Sequence, residues 1–480
     1  NNHIDCIQLD LFSEYNTMEF LALTNNRLTD GAIEGAFEGV PVLKRLYLDT
    51  NQLQSVPNDL PTSLEELRLD NNQVEGMSET AWTHCPGLLI LSMSNNSLGN
   101  GTQSLPIAVL SPLCKLRALN LDHNQLTSVP LGLPLSIKEL YLKGNRIEEF
   151  RNGAFDGKSE LVVLDLSKNR LTNKGLHKDS LVNATHLESL NLEGNRLKQI
   201  PQHLPLSLKT LNLESNFIRS IKKRAFGALK NLEHLGLTKN KIFKVAVGAF
   251  RTLPVLHQLD LGHNRLRQVP RQLPKSLHSV SLTHNTIQTV PRDSFCWGNT
   301  TLSLSGLLRW LNLNRNKITS NGVEQGVLST MSQLAHLYMD DNLLSSVPSP
   351  LPPSLEHLRL SRNRISKIPA GVFSGLNKLN LLDLQSNKLM DDAVTEVSLK
   401  GLTNLVQINL SKNQLTSMPI GLPPTTTQLF LDGNNIDKIP ADYFKGLPKM
   451  TFIRLNYNKL ASSGVPKDVF NVSSILDLQL

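Results

Sequence analysis

LRALNLDHNQL, residues 116–126, decides how the rest of the chain is read. Leu116, Leu119, Leu121, Asn124 and Leu126 fall on the pattern L-x-x-L-x-L-x-x-N-x-L. The same pattern starts again at Ile137, Leu161, Leu187 and Leu208. Its leucines alternate over a few residues, as in a short strand with one apolar side. A single strand of this kind cannot bury that side, whereas stacked copies can. The asparagine is expected to turn inward beneath the strand. There its amide would donate to and accept from backbone groups of its own repeat and the next, as buried backbone groups require.

The asparagine ladder runs through the chain: Asn26, Asn51, Asn72, Asn96, Asn124, Asn145, Asn169, Asn195, Asn216, Asn240, Asn264, Asn285, Asn316, Asn342, Asn363, Asn387, Asn413, Asn434 and Asn458. A further repeat opens at Ile475, Leu478 and Leu480. This predicts a leucine-rich repeat solenoid. Its parallel, concave β-sheet is curved and has one strand per repeat. Loops, 3-10 turns and polyproline segments form the convex side, and helix is scarce. Residues 1–16 fit the repeat poorly. Ile4, Ile7 and Leu9 alternate, so this stretch reads as the remnant of an N-terminal cap, and residues 17–480 read as a continuous array of about 19–20 repeats.

Repeat lengths follow a short, middle, long rhythm. Short units share a phrase such as SVPNDLPTSL at 55–64, SVPLGLPLSI at 128–137 or QVPRQLPKSL at 268–277. Two prolines remove donors and fix φ, so this return path is extended rather than helical. Middle units carry a phenylalanine (Phe155, Phe226, Phe250, Phe373, Phe444) expected to plug the convex side of the core. Long units, such as TNKGLHKDSL at 172–181, leave room for about one helical turn. Two units break the rhythm, with NGTQSLPIAVL inserted before Cys114 and CWGNTTLSLS at 296–305.

Composition fits a leucine-filled core: 40% of the 480 residues are hydrophobic and only 5% aromatic. No run approaches the ~20 apolar residues of a membrane span. No signal peptide is visible at Asn1, which suits a mature chain or an excised piece. The net charge of +8 falls on a chain with 19% charged residues. It reads as a mild excess over a long surface, compatible with sulfated glycans as partners. No basic run argues for nucleic acid. The four cysteines fit no zinc or CxxC motif. Cys85 and Cys114 precede the strands of adjacent repeats by three and two residues, ahead of Leu88 and Leu116. Two alternatives stand open for them, a disulfide or two buried thiols. Cys6 and Cys296 have no evident partner.

No HExxH, GxSxG, Walker A, GxGxxG or EF-hand sequence occurs, and no nucleophile–base pair stands at a telling spacing. The chain therefore reads as a non-enzyme without cofactor or resident metal. Six N-x-[ST] sequons are present, at Asn95, Asn100, Asn183, Asn299, Asn409 and Asn471, none on the ladder. Asn183 and Asn471 share one slot, four residues before the first strand apolar residue. Asn409 lies between Ile408 and Leu410 and should face outward from the strand.

The rhythm, the VPxxLPxSL phrase and the sequons together resemble the small leucine-rich proteoglycans. The stretch from GLTNLVQINLSKNQL at 401–415 to FNVSSILDLQL at 470–480 looks like the keratocan, lumican and fibromodulin branch. The length of the array looks more like podocan or extracellular matrix protein 2. The resemblance departs at both ends: Cys6 stands alone where the family carries four cysteines, and no cysteine-bearing ear repeat precedes Leu480. The family implies a secreted matrix protein that binds fibrillar collagen through its concave strands and carries N-linked glycans, sometimes extended to keratan sulfate. Asn409 matches such a placement.

The expected function is thus non-catalytic binding of collagen, another matrix protein or a sulfated glycosaminoglycan. The alternative is the ectodomain of a leucine-rich repeat receptor. The expected docking surface comprises Lys239, His263, His284, Arg315 and Arg362, which share the row just before the ladder asparagine, with His336, His357 and Arg359 from the strands. Trp310 and Tyr338 would be its aromatic anchors. Outward strand positions of the first nine repeats are acidic instead, including Asp49, Glu66, Asp70, Asp122 and Glu139. With histidines titrating near pH 6.5, affinity for an anion should rise as pH falls through that value.

Overall fold

The computed structural model describes residues 1–298 and 306–480. They form two compact units: Asn1–Ile218 with Ala225–Gly236, and Arg219–Arg224 with Leu237–Leu480. Ten three-residue strands stack in parallel in the first unit, from Phe20–Ala22 to His234–Gly236. Another ten stack in the second, from Gln258–Asp260 to Asp477–Gln479. Lateral pairing keeps the leucines in register, with Leu119 opposite Leu140 and Leu140 opposite Leu164. The middle residue of each strand points into the core; Leu46, Leu119 and Leu358 are fully buried. Its two flanking residues face out, as period-2 geometry demands. No α-helix occurs among the described residues; the return segments hold 3-10 turns such as Gly31–Ile33 and Tyr443–Gly446.

The ladder does what its sequence position suggests, with one difference. Asn124 Nδ2 donates to Leu121 O of its own repeat and to Met93 O of the preceding one, both at 3.0 Å. Its Oδ1 accepts from Leu98 N, again of the preceding repeat, at 3.0 Å. The amide thus clamps backward, not forward. The chain leaves its strand beneath the previous turn, where orphan carbonyls and N–H groups lie. The residue before each ladder asparagine takes a left-handed φ in all 19 repeats, from Asn25 (58°) to Tyr457 (59°). This reversal turns the asparagine inward and costs about 1 kcal/mol or more wherever the residue is not glycine.

Each phrase of the return path has a packing reason. The serine of VPxxLPxSL donates to a leucine carbonyl of the preceding repeat: Ser63 to Leu43 O, Ser136 to Leu116 O and Ser354 to Leu334 O, each at 2.7 Å. This hydroxyl serves a carbonyl that the proline-rich segment, short of N–H donors, leaves open. Phe155, Phe226, Phe250, Phe373 and Phe444 are all buried, as expected of plugs. In long units Gly175 allows a close backbone approach, since a Cβ there would lie 2.0 Å from Glu148 O. At residues 1–7 the chain adds an irregular turn to the first repeat, with Arg27 N donating to Ile4 O at 2.8 Å and Ile7 N to Ala32 O at 3.1 Å.

Candidate docking surface

Outward strand positions and the row before the ladder share one face of the second unit. Strands Trp310–Asn312, His336–Tyr338 and His357–Arg359 are adjacent, with Trp310 opposite His336 and His336 opposite His357. Trp310 and Tyr338 meet edge to face, ring centroids 5.8 Å apart. His336 and His357 do the same at 4.5 Å. The Arg359 guanidinium lies 5.4 Å over the Tyr338 ring. Five of the expected residues therefore form one connected aromatic and cationic cluster. Burial, with His336 and Arg359 nearby, pushes the His357 pKa below its ordinary value.

The row before the ladder divides into two groups. His263 and His284 stack with ring centroids 4.0 Å apart and planes at 16°. Arg315 Nη1 lies 2.9 Å from His284 Nε2, and Thr283 Oγ1 lies 2.8 Å from His284 Nδ1. Arginine cannot accept, so His284 Nε2 is the acceptor and the ring is neutral in this geometry. Burial and then the His263 and Arg315 charges hold its pKa below the ordinary histidine value. Arg362 instead pairs with Asp341, Nε to Oδ1 at 2.8 Å. Lys239 is exposed in the same row with φ 54°. Among the described residues no three His, Cys, Asp or Glu side chains converge on a place for a metal ion. No helix there is long and apolar enough to cross a membrane.

Two clusters of similar design escaped the sequence reading. In the first unit Phe20 and Tyr47 meet edge to face at 5.0 Å, with Arg45 over Phe20 at 4.7 Å and Arg68 over Tyr47 at 5.1 Å. In the second, Arg454 lies 5.2 Å over Phe430 and 5.4 Å over Phe452. The signal was present: an aromatic at the third strand position followed by arginine at the same position one repeat on, in Tyr47/Arg68, Tyr338/Arg359 and Phe430/Arg454. A histidine pair, His257 and His278, with Nδ1 atoms 2.9 Å apart, was also missed.

Acids of the first unit act as backbone acceptors. Asp49 Oδ1 accepts from Asp70 N at 2.8 Å, and Asp122 Oδ1 from Lys143 N at 2.7 Å. Burial pushes the Asp49 carboxyl up to about 6, with Asp70 and Glu66 adding to the rise.

The Cys85–Cys114 disulfide does not form, and all four cysteines are free. Ile90 pairs with Ala118, a register that sets Cys85 against Leu113 and Cys114 against Pro86. Cys114 Sγ accordingly lies 3.9 Å from Pro86 O, while Cys85 Sγ lies 3.7 Å from Pro61 O. Cys85 is buried, which pushes its thiol up to about 11, whereas Cys114 is exposed.

The sequon asparagines differ in environment. Asn183 and Asn471 are exposed. Asn409 lies outward on its strand; its Oδ1 accepts from Ser411 N at 3.0 Å and its Nδ2 makes no hydrogen bond among the described residues. Asn95 Nδ2 donates to Asn71 Oδ1 at 2.6 Å. Asn100 is committed more fully: its Oδ1 accepts from Thr127 N at 2.6 Å and Ser128 N at 3.2 Å, and its Nδ2 donates to Ser128 O at 3.2 Å. Asp30, Asn173, Ser320 and Asp391 make the same brace from the same place, four residues past the ladder asparagine. Asn299 lies outside the described residues.

Residues 62–126, 136–197, 207–266 and 353–415 match the leucine-rich repeat family model. Podocan of Mus musculus is 33% identical over 473 residues, covering 98% of this chain and 76% of podocan. The chain belongs to the small leucine-rich proteoglycan family. A keratocan of Danio rerio is 76% identical over 173 residues, which is 36% of this chain and 50% of that proteoglycan's length. The chain thus spans about half of the keratocan it matches. Among solved structures, a leucine-rich repeat protein of Leptospira interrogans shares the fold, with a TM-score of 0.61 at 20% identity over 92% of this chain and 96% of that one. In this small leucine-rich proteoglycan the brace and the serine rung explain much of the text between ladder positions.

Proposed function

We propose that the chain is a secreted, non-catalytic extracellular matrix protein whose strand face docks an extended partner of the fibrillar collagen class. The observation that carries this reading is the cluster of Trp310, Tyr338, Arg359, His336 and His357 across three parallel strands. Trp, Tyr and Arg are the side chains that most often anchor interfaces. Their strands follow at about 4.8 Å, so a rod-like partner crossing them meets a new set of groups at each step. His263, His284, Arg315, Lys239 and Arg362 extend the surface beside the cluster. The available acceptor atoms of Asn183, Asn409 and Asn471 support passage through a secretory pathway.

The test is binding to immobilised fibrillar collagen by the full chain and by a Tyr338→Ala, Arg359→Ala double variant. Removal of two anchors should weaken binding roughly thirtyfold or more, on the scale of about 2 kcal/mol for an interface hot spot. Equal binding of the two proteins, or no binding by the parent, would overturn the reading.

A further inference from the structure

The positive charge is not spread along the chain. Residues 219–224 and 237–275 hold twelve lysines and arginines against one carboxylate, Asp260. Their net +11 exceeds the +8 of the whole protein, so all other residues together are net negative. Both segments belong to the second unit.

The fold gathers them. Ser220–Ile221 pairs in parallel with Lys244–Val245, and Phe243 N donates to Arg219 O at 3.0 Å. The next turn follows in the same register, because Asn240 and Asn264 head equivalent positions. Arg219, Phe243 and Arg267 therefore share one row, and Lys241 and Arg265 share another two residues away. Ile221, Ile242 and Leu266 are buried, which turns their neighbours outward. Arg219, Lys222, Lys223, Arg224, Lys244 and Arg267 are all exposed, and among the described residues none forms an ion pair with a carboxylate. Other cations nearby are already occupied. Arg271 is held by Asp293 at 2.8 Å, and Arg251 and Lys275 lie over the Trp297 ring at 4.1 and 5.0 Å.

This contrasts with the strand face, where Arg315 is taken by His284, Arg359 by Tyr338 and Arg362 by Asp341. Like charges on turns about 4.8 Å apart repel, and among the described residues no carboxylate pairs with these six. A compact anion would neutralise one or two of them. A linear polyanion with a charge at each step can lie along all the turns.

We propose that this patch binds a sulfated glycosaminoglycan chain, at a surface separate from the strand face. Nucleic acid fits less well. Single strands are held by successive aromatic platforms, and within residues 219–224 and 237–275 Phe243 is the one exposed phenylalanine, tyrosine or tryptophan. The choice of a sulfated glycan over other polyanions rests on the matrix reading above.

The experiment is heparin-affinity chromatography and titration of the full chain, with a Lys222→Ser, Lys223→Ser, Arg224→Ser variant. The parent should bind heparin more tightly than fully desulfated heparin or a single-stranded RNA of equal charge. The triple variant should bind heparin roughly ten- to a hundredfold more weakly, the scale of three exposed ion pairs. Its melting temperature and collagen binding should be unchanged. A control Arg315→Ala, Arg359→Ala, Arg362→Ala variant should keep heparin affinity. Equal heparin affinity of parent and patch variant, a loss only in the control, or tighter binding of RNA would each overturn the proposal. Failure of collagen binding with heparin binding intact would instead strike the strand-face reading.

Discussion

His284 accepts a hydrogen bond from Arg315, Nε2 to Nη1 at 2.9 Å, while its ring stacks on His263. Burial makes this histidine resist protonation, and the nearby His263 and Arg315 add to the effect. Its charge therefore appears below pH 6.5, not at that value. The NMR titration of His284 should lie below the ordinary histidine range, and Arg315→Ala should move it upward. The unfolded chain binds the proton more readily, so this site's stability is present above pH 6.5 and is lost as pH falls. A titration at or above 6.5 would contradict the pairing. The contribution of His284 to any pH-driven gain in anion binding is displaced to the same lower range.

Asp49 presents the opposite sign on the first unit. Its carboxyl is pushed up to about 6 from an ordinary value near 3.8, so the folded state prefers the protonated form. The cost of keeping it charged is absent below pH 4, grows between 4 and 6, and is complete above 6. Asp49→Asn keeps the acceptor for Asp70 N and removes the charge. It should stabilise the protein by about 1–2 kcal/mol at pH 7.5, after allowance for partial exposure, and by little at pH 4. Urea unfolding at the two pH values checks this; equal effects would sink it.

Asn264 has four backbone partners: its Nδ2 donates to Leu237 O, Leu261 O and Gly262 O at 2.9–3.1 Å, and its Oδ1 accepts from Ile242 N at 3.0 Å. Asn212, outward on its strand, has one local bond to Glu214 N at 2.9 Å. Asn264→Ala leaves several buried groups unmet and should cost at least ~2–3 kcal/mol, whereas Asn212→Ala, replaceable by water, should cost under ~1. Similar melting temperatures for the two variants would refute the ladder assignment.

Asn100 tests the difference between a sequon and a glycan. Both ends of its amide are engaged in the brace to Thr127 and Ser128. On secretory expression, peptide mapping should find glycan at Asn183, Asn409 and Asn471, and Asn100 bare. Asn100→Asp should be tolerated, since Asp30 and Asp391 make the same brace, while Asn100→Ala should cost ~1–2 kcal/mol. Full occupancy of Asn100 would show that the brace is dispensable.

The repeat by itself determined which side of the chain each residue faces. A leucine at a fixed distance from its asparagine is buried because every turn repeats the same path, so Leu119, Asn124 and the plug Phe155 were legible without coordinates. The outward rows were legible for the same reason, Lys239 to Arg362 and Trp310 to Arg359 included. What each outward residue touches depends on its lateral neighbour, and that follows from the register between turns of unequal length. A 28-residue step sets Cys114 against Pro86 rather than Cys85. The neighbour of Arg362 is Asp341, which takes up its charge, whereas Arg267 has the uncharged Gln288 beside it, its carbonyl accepting from Gln288 N at 2.8 Å, and its charge is left to solvent. Only the tertiary structure decided those pairings, because side-chain reach and register act between turns more than twenty residues apart.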